Sequence, residues 1–211
     1  RNTQAKTCPR LPTNRRPLMS EDITLFNSQG QRLYLNSDER LRLQQAARQS
    51  DDSLAEYFCL MLLNTGCRLS EAIALTPASI DLNQGVVIFK TLKRRKIHYR
   101  TVPLSPEFLK ELKLKFELKQ NTASKFNTPL WPYSRTTAWR RVKEFMDQAK
   151  ITGAMATPKG LRHGFGVACI EKDIPITVIQ KWLGHSSPTT TAIYLQVVGA
   201  EERSFANRLW R

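Results

Sequence analysis

Apolar and polar positions along the chain follow two periods, one typical of strands and one typical of helices. Between residues 23 and 35 they alternate around a Ser-Gln-Gly turn, which predicts a β-hairpin. The runs VVIFK (86–90) and RKIHYRTVPL (95–104) predict a second pair of strands. Elsewhere the apolar positions recur at helical spacing. We therefore expect a mainly α domain with a small antiparallel β-sheet, an α+β fold.

Capping residues mark where the helices should begin. The predicted first or capping residues are Asn36, Asp51, Ser70, Ser105, Ser134, Thr157 and Ser187. The first helix has a modest apolar stripe that includes Leu41, and the second is expected to be largely buried and to end at Gly66. The helices from Ser105 and Ser134 should extend to about 120 and 150, and Trp139 is expected in the core-facing stripe of the latter.

Charge and composition narrow the class of partner. The chain has 33 Lys and Arg against 18 Asp and Glu, a net charge of +15, which suits a polyanion such as nucleic acid. A basic membrane-surface protein is the competing interpretation, but no strongly amphipathic basic helix stands out. No apolar run approaches the roughly 18 residues of a membrane span, and the sequence shows no signal-peptide h-region. We therefore expect a cytoplasmic protein.

Cysteine and histidine usage gives no indication of a metal site. The four cysteines lack metal-binding spacing, and three histidines leave no histidine triad. Residues 1–22 are basic and Pro-rich, and we interpret them as an N-terminal linker or a DNA-binding arm. Residues 23–211 then form one domain.

Several separated residues could act on a phosphate ester. Lys159 and Arg162 are i,i+3 neighbours after a proline-initiated helix start, so they can reach one anion. Tyr194 lies about two turns into a short helix with three consecutive threonines, which are weak helix formers, so it could be a mobile nucleophile. Taken alone, such a tyrosine is more often a core residue. Arg68 follows a helix stop and could point into a cleft, or form only a surface ion pair with Glu71.

Basic residues also cluster where DNA could bind. The hairpin segment 90–100 carries six Lys or Arg and no acid, which on a hairpin tip can enter a DNA groove but can also be a solvated face. The helix 134–150 carries further basic residues beside an aromatic side chain. The candidate DNA-binding residues are Lys93, Arg94, Arg95, Lys96, Arg140 and Arg141.

These motifs, taken in order, resemble those of the tyrosine recombinases, the phage integrase family. The matching motifs are Arg68 in GCRLSE, a lysine on a β-hairpin, Lys159-x-x-Arg162-His163, Leu183-Gly184-His185, and Tyr194. The resemblance covers roughly residues 37–211 and implies the catalytic-domain fold of these DNA breaking and rejoining enzymes. It implies site-specific recombination of double-stranded DNA through a 3′-phosphotyrosine intermediate, without cofactor or metal, by four protomers on two DNA sites. In the absence of DNA the protein could be a monomer.

The resemblance also implies a role for each residue. Arg68 and Arg162 grip the scissile phosphate, Tyr194 is the nucleophile, and His185 donates a hydrogen bond to the phosphate. Glu71 orients the basic residues.

The hairpin lysine would be the general acid. Lys90, followed by threonine, matches the family pattern most closely, and Lys93 and Lys96 compete with it. Lys159 stands where the family usually has histidine. A protonated ammonium is a poor proton acceptor, so the acceptor of the tyrosine proton is left open. We expect His163 to be a weak substitute, because one residue turns a helix by about 100°.

The resemblance leaves the rest of the protein and its biological task open. Most members carry an N-terminal core-binding domain, which is apparently absent here, so the chain is either a fragment or a single-domain inverter. Its start without methionine favours a fragment. The outcome could be integration, excision, inversion or resolution of mobile or plasmid DNA, with a bacterial, phage or plasmid origin. The alternatives are a type IB topoisomerase-like relaxing enzyme and a catalytically silent DNA-binding regulator.

Overall fold

The structure is a computed structural model that describes residues 24–93, 96–118 and 128–196, with the isolated positions 203, 206, 207 and 209. The side chains of residues 92, 93 and 96 are outside this description, and so is the predicted N-terminal arm, 1–22. Among the residues described, no helix is both long enough and apolar enough to cross a lipid bilayer.

The architecture is helical with one three-stranded antiparallel sheet of order β1-β2-β3, which confirms the predicted fold class. The helices are α1 (Ser37–Arg48), α2 (Ser53–Thr65), α3 (Leu69–Ile73), α4 (Pro106–Lys115), α5 (Arg135–Gln148), α6 (Pro158–Glu171), α7 (Ile176–Leu183) and α8 (Pro188–Ala192). The strands are β1 (Ile80–Asp81), β2 (Val86–Lys93) and β3 (Lys96–Pro103). Short 3₁₀ turns lie at Pro77–Ser79 and Ile193–Gln196.

Most helix starts are where the capping residues predict them. At the starts of α1, α2, α4, α5, α6 and α8 a capping side chain accepts a hydrogen bond from a backbone N–H. These capping residues are Asn36, Asp52, Ser105, Ser134, Thr157 and Ser187. Gly66 ends α2 in the left-handed conformation, with φ of 59°. The prediction for α3 is wrong, because Ser70 lies inside the helix and Arg68 precedes its first residue. The Glu71 carboxylate accepts the Arg68 N–H at this start.

Three other predictions differ from the structure. In place of the hairpin predicted for 23–35, the described residues 24–35 form a turn with a single antiparallel bridge between Phe26 and Arg32. Helix α4 ends at Lys115, short of residue 120. Leu41 is 54% exposed, because the buried face of α1 is formed by Leu43 and the residues around Ala47.

Two hydrophobic clusters form the core, and α6 contributes to both. The larger one packs α1, α2, α4 and α5 around Phe58 and Trp131, whose rings meet edge to face at 5.3 Å. The smaller one includes Tyr194 and Leu183. Leu161 of α6 belongs to the larger cluster, and the residues from 165 onward in α6 belong to the smaller one. Helix α6 is therefore the element against which the other parts of the site are positioned.

Two glycines let the chain before α1 pack directly on α6. The Leu35 N–H donates to the Gly160 carbonyl at 3.1 Å. A Cβ atom added to Gly164 would overlap the carbonyl oxygen of Leu35, and one added to Gly160 would overlap that of Met155. These positions tolerate no side chain, because the neighbouring atoms belong to the backbone.

A buried ion pair attaches the sheet to the helices. The guanidinium of Arg100 on β3 donates to both carboxylate oxygens of Glu71, at 2.6 and 3.0 Å, and through Nε to the Trp182 carbonyl at 2.8 Å. It also stacks on Phe89, 4.7 Å from the ring centroid. Burial raises the pKa of the Glu71 carboxyl, but the hydrogen bonds and charges of Arg100 and Arg68 outweigh this effect and lower the pKa to about 2. One arginine thus joins β3 to both α3 and α7.

Replacing Gly164 by alanine should destabilise the fold. Helix propensity favours alanine by about 1 kcal/mol, whereas overpacking costs about 1–3 kcal/mol, and here the clash is with backbone. We therefore expect a net fall in the free energy of unfolding, measured by urea denaturation. Thr136→Ala on the exposed face of α5 is the control and should change it little. A rise of about 1 kcal/mol in Gly164→Ala would contradict the close packing.

Replacing Arg100 by methionine should reduce stability by about 3 kcal/mol at neutral pH, because it leaves a buried carboxylate incompletely paired. The Glu71 pKa is about 2 in the folded protein, against an ordinary 4.5, so the pair stabilises the fold fully above about pH 4.5. This contribution is lost as the pH falls toward 2.

Denaturation series from pH 2 to 8 should therefore show the difference between wild type and Arg100→Met shrinking below pH 4.5. Arg140→Met, which removes a solvent-exposed pair with Glu144, is the control and should cost at most about 1 kcal/mol. A difference that does not depend on pH would show that the Arg100 ion pair is not its cause.

Candidate active site

One pocket of about 490 Å³ brings together four of the predicted site residues: Arg68, Lys159, Arg162 and His185. It lies at the starts of α3, α5 and α6 and at the turn after α7. The other lining residues are Leu69, Ser70, Arg135, Trp139, Thr157, Pro158 and His163. Tyr194 lies behind this lining, and Lys90 lies on the sheet.

Arg162 is buried and held by two backbone carbonyls. Its Nη1 donates to Gly66 at 2.8 Å and its Nη2 to Leu183 at 2.6 Å, at the C-terminal ends of α2 and α7. Burial, followed by the charge of Arg68, lowers the pKa of Arg162 to about 10, so the guanidinium stays protonated at neutral pH. Among the described residues, no carboxylate forms an ion pair with it, so its charge remains available to an anion in the pocket.

Arg68 is held from behind by Glu71. Its Nη1 donates to Glu71 Oε1 at 3.0 Å, and its side chain is 42% exposed. Glu71 also accepts from Arg100 and from the Thr91 hydroxyl at 2.9 Å. The predicted ion pair between Arg68 and Glu71 is present, and it is part of a buried network instead of an isolated surface contact.

His185 follows Gly184, which ends α7 in the left-handed conformation with φ of 66°. Its Nδ1 lies 3.0 Å from the Thr191 hydroxyl of α8. Burial, followed by the charges of Arg162 and Arg68, lowers the pKa of His185 to about 3. The imidazole is therefore neutral at physiological pH, so it can take part in a hydrogen bond but adds no charge to the pocket.

Tyr194 is fully buried beside the pocket. It lies in the 3₁₀ turn Ile193–Gln196, just beyond the end of α8. Its ring is nearly parallel to that of His185, at 14° and 6.2 Å between centroids, and it occupies the space left by Gly166, where a Cβ would lie 2.5 Å from the tyrosine Cζ. Burial raises the pKa of Tyr194 to about 12, although Arg162 acts in the opposite direction.

The Tyr194 hydroxyl lies 3.2 Å from Nδ1 of His163. The expectation that His163 is turned away from the tyrosine is therefore wrong. The angle of about 100° separates His163 from Arg162, whereas four residues from Lys159 give about 400°, so Lys159 and His163 are only about 40° apart. Burial, followed by the charges of Lys159 and Arg162, lowers the pKa of His163 to about 4, so this ring is also neutral at pH 7.

Lys90, the preferred hairpin lysine, is not among the residues that line the pocket. Lys90 is exposed on β2 and pairs with Tyr99 of β3. Because the Thr91 side chain reaches Glu71 and strand side chains alternate, Lys90 points to the opposite face of the sheet. Lys93 and Lys96 lie in β2 and β3 with their side chains outside the description. Arg94 and Arg95 lie outside the described residues altogether, so these assignments stay predictions.

Helix α5 presents different residues to the pocket from those predicted. Trp139 is 46% exposed and lines the pocket with Arg135, so its placement in the core stripe is wrong. The buried positions of α5 are Ala138, Val142, Phe145 and Met146. Arg140 is exposed near Glu144, and Arg141 pairs with Glu144 at 3.0 Å and with Asp52 at 3.4 Å. Their roles in DNA binding stay predictions.

Two side chains that bind site residues, Arg100 and His163, were not predicted from the sequence to do so. Arg100 pairs with Phe89 across β2 and β3 and shares its buried face, which was a signal that this arginine needs a buried acceptor. For His163 the signal was the spacing of four residues from Lys159.

Within the parts of the chain that are described, no cluster of three or more His, Cys, Asp or Glu could hold a metal ion. The pocket instead offers cationic side chains, which suit a tetrahedral oxyanion.

Comparisons with known proteins agree with this arrangement. Residues 33–201 match the model of the phage integrase family. Tyrosine recombinase XerA of Pyrococcus furiosus is 31% identical over 161 residues, which are 71% of this chain and 52% of that protein. The chain spans about half the length of the curated relatives it matches.

Solved structures show the same fold. The crystal structure of XerA recombinase superposes with a TM-score of 0.68 and 27% identity, covering 83% of this chain and 62% of that one. The XerH site-specific recombinase, in a post-cleavage complex with a palindromic difH substrate, superposes with a TM-score of 0.68 and 20% identity, covering 90% of this chain and 57% of that one. The matched region contains α1 to α8 and every predicted catalytic position, and the chain belongs to the phage integrase family of tyrosine recombinases.

Proposed function

We propose that this chain is the catalytic part of a site-specific DNA recombinase that cleaves and rejoins DNA through a 3′-phosphotyrosine link on Tyr194. The observation that carries the proposal is the pocket itself. A buried arginine that forms no ion pair with a described carboxylate, a second arginine oriented by a carboxylate, and a lysine converge on one space. A tyrosine lies directly behind the two imidazoles that line it.

The reaction follows from this arrangement. Arg68 and Arg162 bind the non-bridging oxygens of one DNA phosphate and stabilise the charge that builds up on them in the transition state. The oxygen of Tyr194 attacks phosphorus, and the bond to the 5′-oxygen breaks. A hairpin lysine protonates that oxygen to give a free 5′-hydroxyl. We assign Lys90, which must turn from the opposite face of the sheet to reach it. The phosphotyrosine retains the energy of the phosphodiester, so rejoining needs no nucleotide cofactor.

Tyr194 must move out of its buried position to reach the phosphate. It is fully buried, and His163 and His185 both line the pocket and contact its ring. The 3₁₀ turn that carries it is short, and the preceding helix α8 has only five residues. Movement of this turn, driven by binding of DNA, would bring the phenol forward to the phosphate with its hydroxyl still within reach of the imidazoles.

Double-stranded DNA is the proposed partner. The net charge of +15 and the cationic pocket favour a polyanion, and a solved relative is described as bound to its DNA substrate. Exchange of strands between two DNA sites requires several active sites, so we propose a tetramer assembled on two sites. Integration, excision, inversion and resolution of mobile or plasmid DNA all use this chemistry.

Replacing Tyr194 by phenylalanine should abolish the covalent protein–DNA adduct. The hydroxyl is the proposed attacking group, and phenylalanine retains most of the buried ring. Adduct formation is measured by trapping on nicked suicide substrates prepared from DNA that flanks the gene, and DNA binding should change by only a few-fold. Tyr133→Phe, which removes a hydroxyl from a half-buried ring, is the control and should form the adduct normally. Persistence of the adduct in Tyr194→Phe would remove the assigned nucleophile.

A substrate with sulfur at the 5′-bridging position tests the general acid. A thiolate leaves without protonation, so Lys90→Ala should cleave normal DNA about 10²–10⁴-fold more slowly but cleave the sulfur substrate at nearly the wild-type rate. Lys93→Ala is the matched comparison and should cleave both substrates similarly. Rescue of Lys93→Ala but not of Lys90→Ala would transfer the role to Lys93.

A further inference from the structure

The sequence offers no obvious acceptor for the proton of Tyr194, because Lys159 occupies the position where histidine is usual. Among the described residues, the Tyr194 hydroxyl has one hydrogen-bond partner, Nδ1 of His163. His163 is 3% exposed and lies on the face of α6 that also carries Gly166, against which the tyrosine ring packs. Helix α6 thus supplies both the space for the ring and the acceptor for its hydroxyl.

We propose that His163 positions the Tyr194 hydroxyl and takes its proton when the phenol attacks the phosphate. This inference rests on the proposed function. In the step, the bond from the tyrosine oxygen to phosphorus forms as the bond to the 5′-oxygen breaks, and the phenol proton moves to Nδ1 of His163. On rejoining, the 5′-hydroxyl attacks phosphorus and gives its proton to the hairpin lysine, while the bond from phosphorus to the tyrosine oxygen breaks. His163 returns its proton to the phenol oxygen.

The assignment requires one tautomer of the imidazole. Nδ1 must be the unprotonated acceptor, with the proton on Nε2. Nε2 is buried and has no hydrogen-bond partner among the described residues, and the same ring lines the pocket.

The surroundings of the pair keep His163 able to accept a proton at neutral pH. The charged and titratable groups that face His163 and Tyr194 are Lys159, Arg162, Cys169, Arg68 and His185. Burial raises the pKa of Cys169 to about 11 and lowers that of His185 to about 3. Neither of these two groups titrates between pH 6 and 9. Burial, followed by the charges of Lys159 and Arg162, keeps the pKa of His163 low.

The pH dependence of cleavage tests the proton transfer. In His163→Gln, the glutamine can still bind the hydroxyl but cannot take its proton, so attack depends on the small fraction of Tyr194 that is already ionised. Single-turnover cleavage of a suicide substrate should be about 10²–10⁴-fold slower near pH 7. Its rate should rise about tenfold per pH unit between pH 6 and 9, because the Tyr194 pKa is about 12, whereas the wild-type rate stays nearly flat.

The control and the opposing outcome are well defined. Gln45→Ala, at an exposed position of α1, should keep the wild-type rate and pH profile. A slower His163→Gln with an unchanged, flat profile would show a purely structural role and overturn the inference. If the wild type forms the adduct and Tyr194→Phe does not, the proposed function stands. Normal cleavage in His163→Gln would then overturn the inference alone. Failure of the wild type to form any adduct would overturn both.

A measurement without DNA tests the tautomer directly and does not depend on the folding of His163→Gln. The chain has only three histidines, so ¹⁵N NMR can resolve each ring. At pH 7 His163 should show an unprotonated Nδ1 and a protonated Nε2, and its Nδ1 resonance should shift in Tyr194→Phe. A protonated Nδ1, or a His163 ring unaffected by Tyr194→Phe, would exclude His163 as the acceptor.

Discussion

The burial of one guanidinium at the ends of two helices organises the site. Carbonyl groups in the last turn of a helix lack partners within it and lie at the negative end of its dipole. Arg162 binds one such carbonyl from α2 and one from α7, so it is stabilised by partial charges instead of a carboxylate. A carboxylate in contact would have neutralised it. The protein therefore keeps a full positive charge in a buried place, where it acts strongly on a bound anion.

The remaining parts of the site follow from this charge. The carboxylate closest to it in the network, Glu71, faces Arg68 and Arg100 and binds both. The two histidines near Arg162 are held neutral by burial and by the surrounding cations. Positive charge is thus assigned to arginine and lysine, and the imidazoles are left to exchange hydrogen bonds and protons. The division matches a reaction that must both bind a phosphate and deprotonate a phenol.

The sequence predicted the parts of this arrangement that depend on local rules. Capping side chains marked most helix starts, strand alternation marked β2 and β3, and ordered motifs marked Arg68, Arg162, His185 and Tyr194. It did not predict features set by packing between distant elements. Trp139 fits an apolar stripe by spacing, yet no described element covers it. Arg100 meets Glu71 only because the sheet docks on α3 and α7. The contact of His163 with Tyr194 likewise joins residues 31 apart in the chain.

Helix α6 carries both the space that buries Tyr194 and the residue proposed to accept its proton. A phenol in the core is hard to ionise, and the Tyr194 pKa of about 12 keeps the hydroxyl inert in the resting state. This protects a reactive group when no DNA is bound, but it also means that burial alone would oppose attack. Placing a neutral acceptor against the hydroxyl removes the need for free tyrosinate, because the proton can leave as the bond to phosphorus forms. Gly166 on α6 gives the ring its space and His163, three residues before it, contacts the hydroxyl, so one face of one helix both stores the nucleophile and provides for its activation.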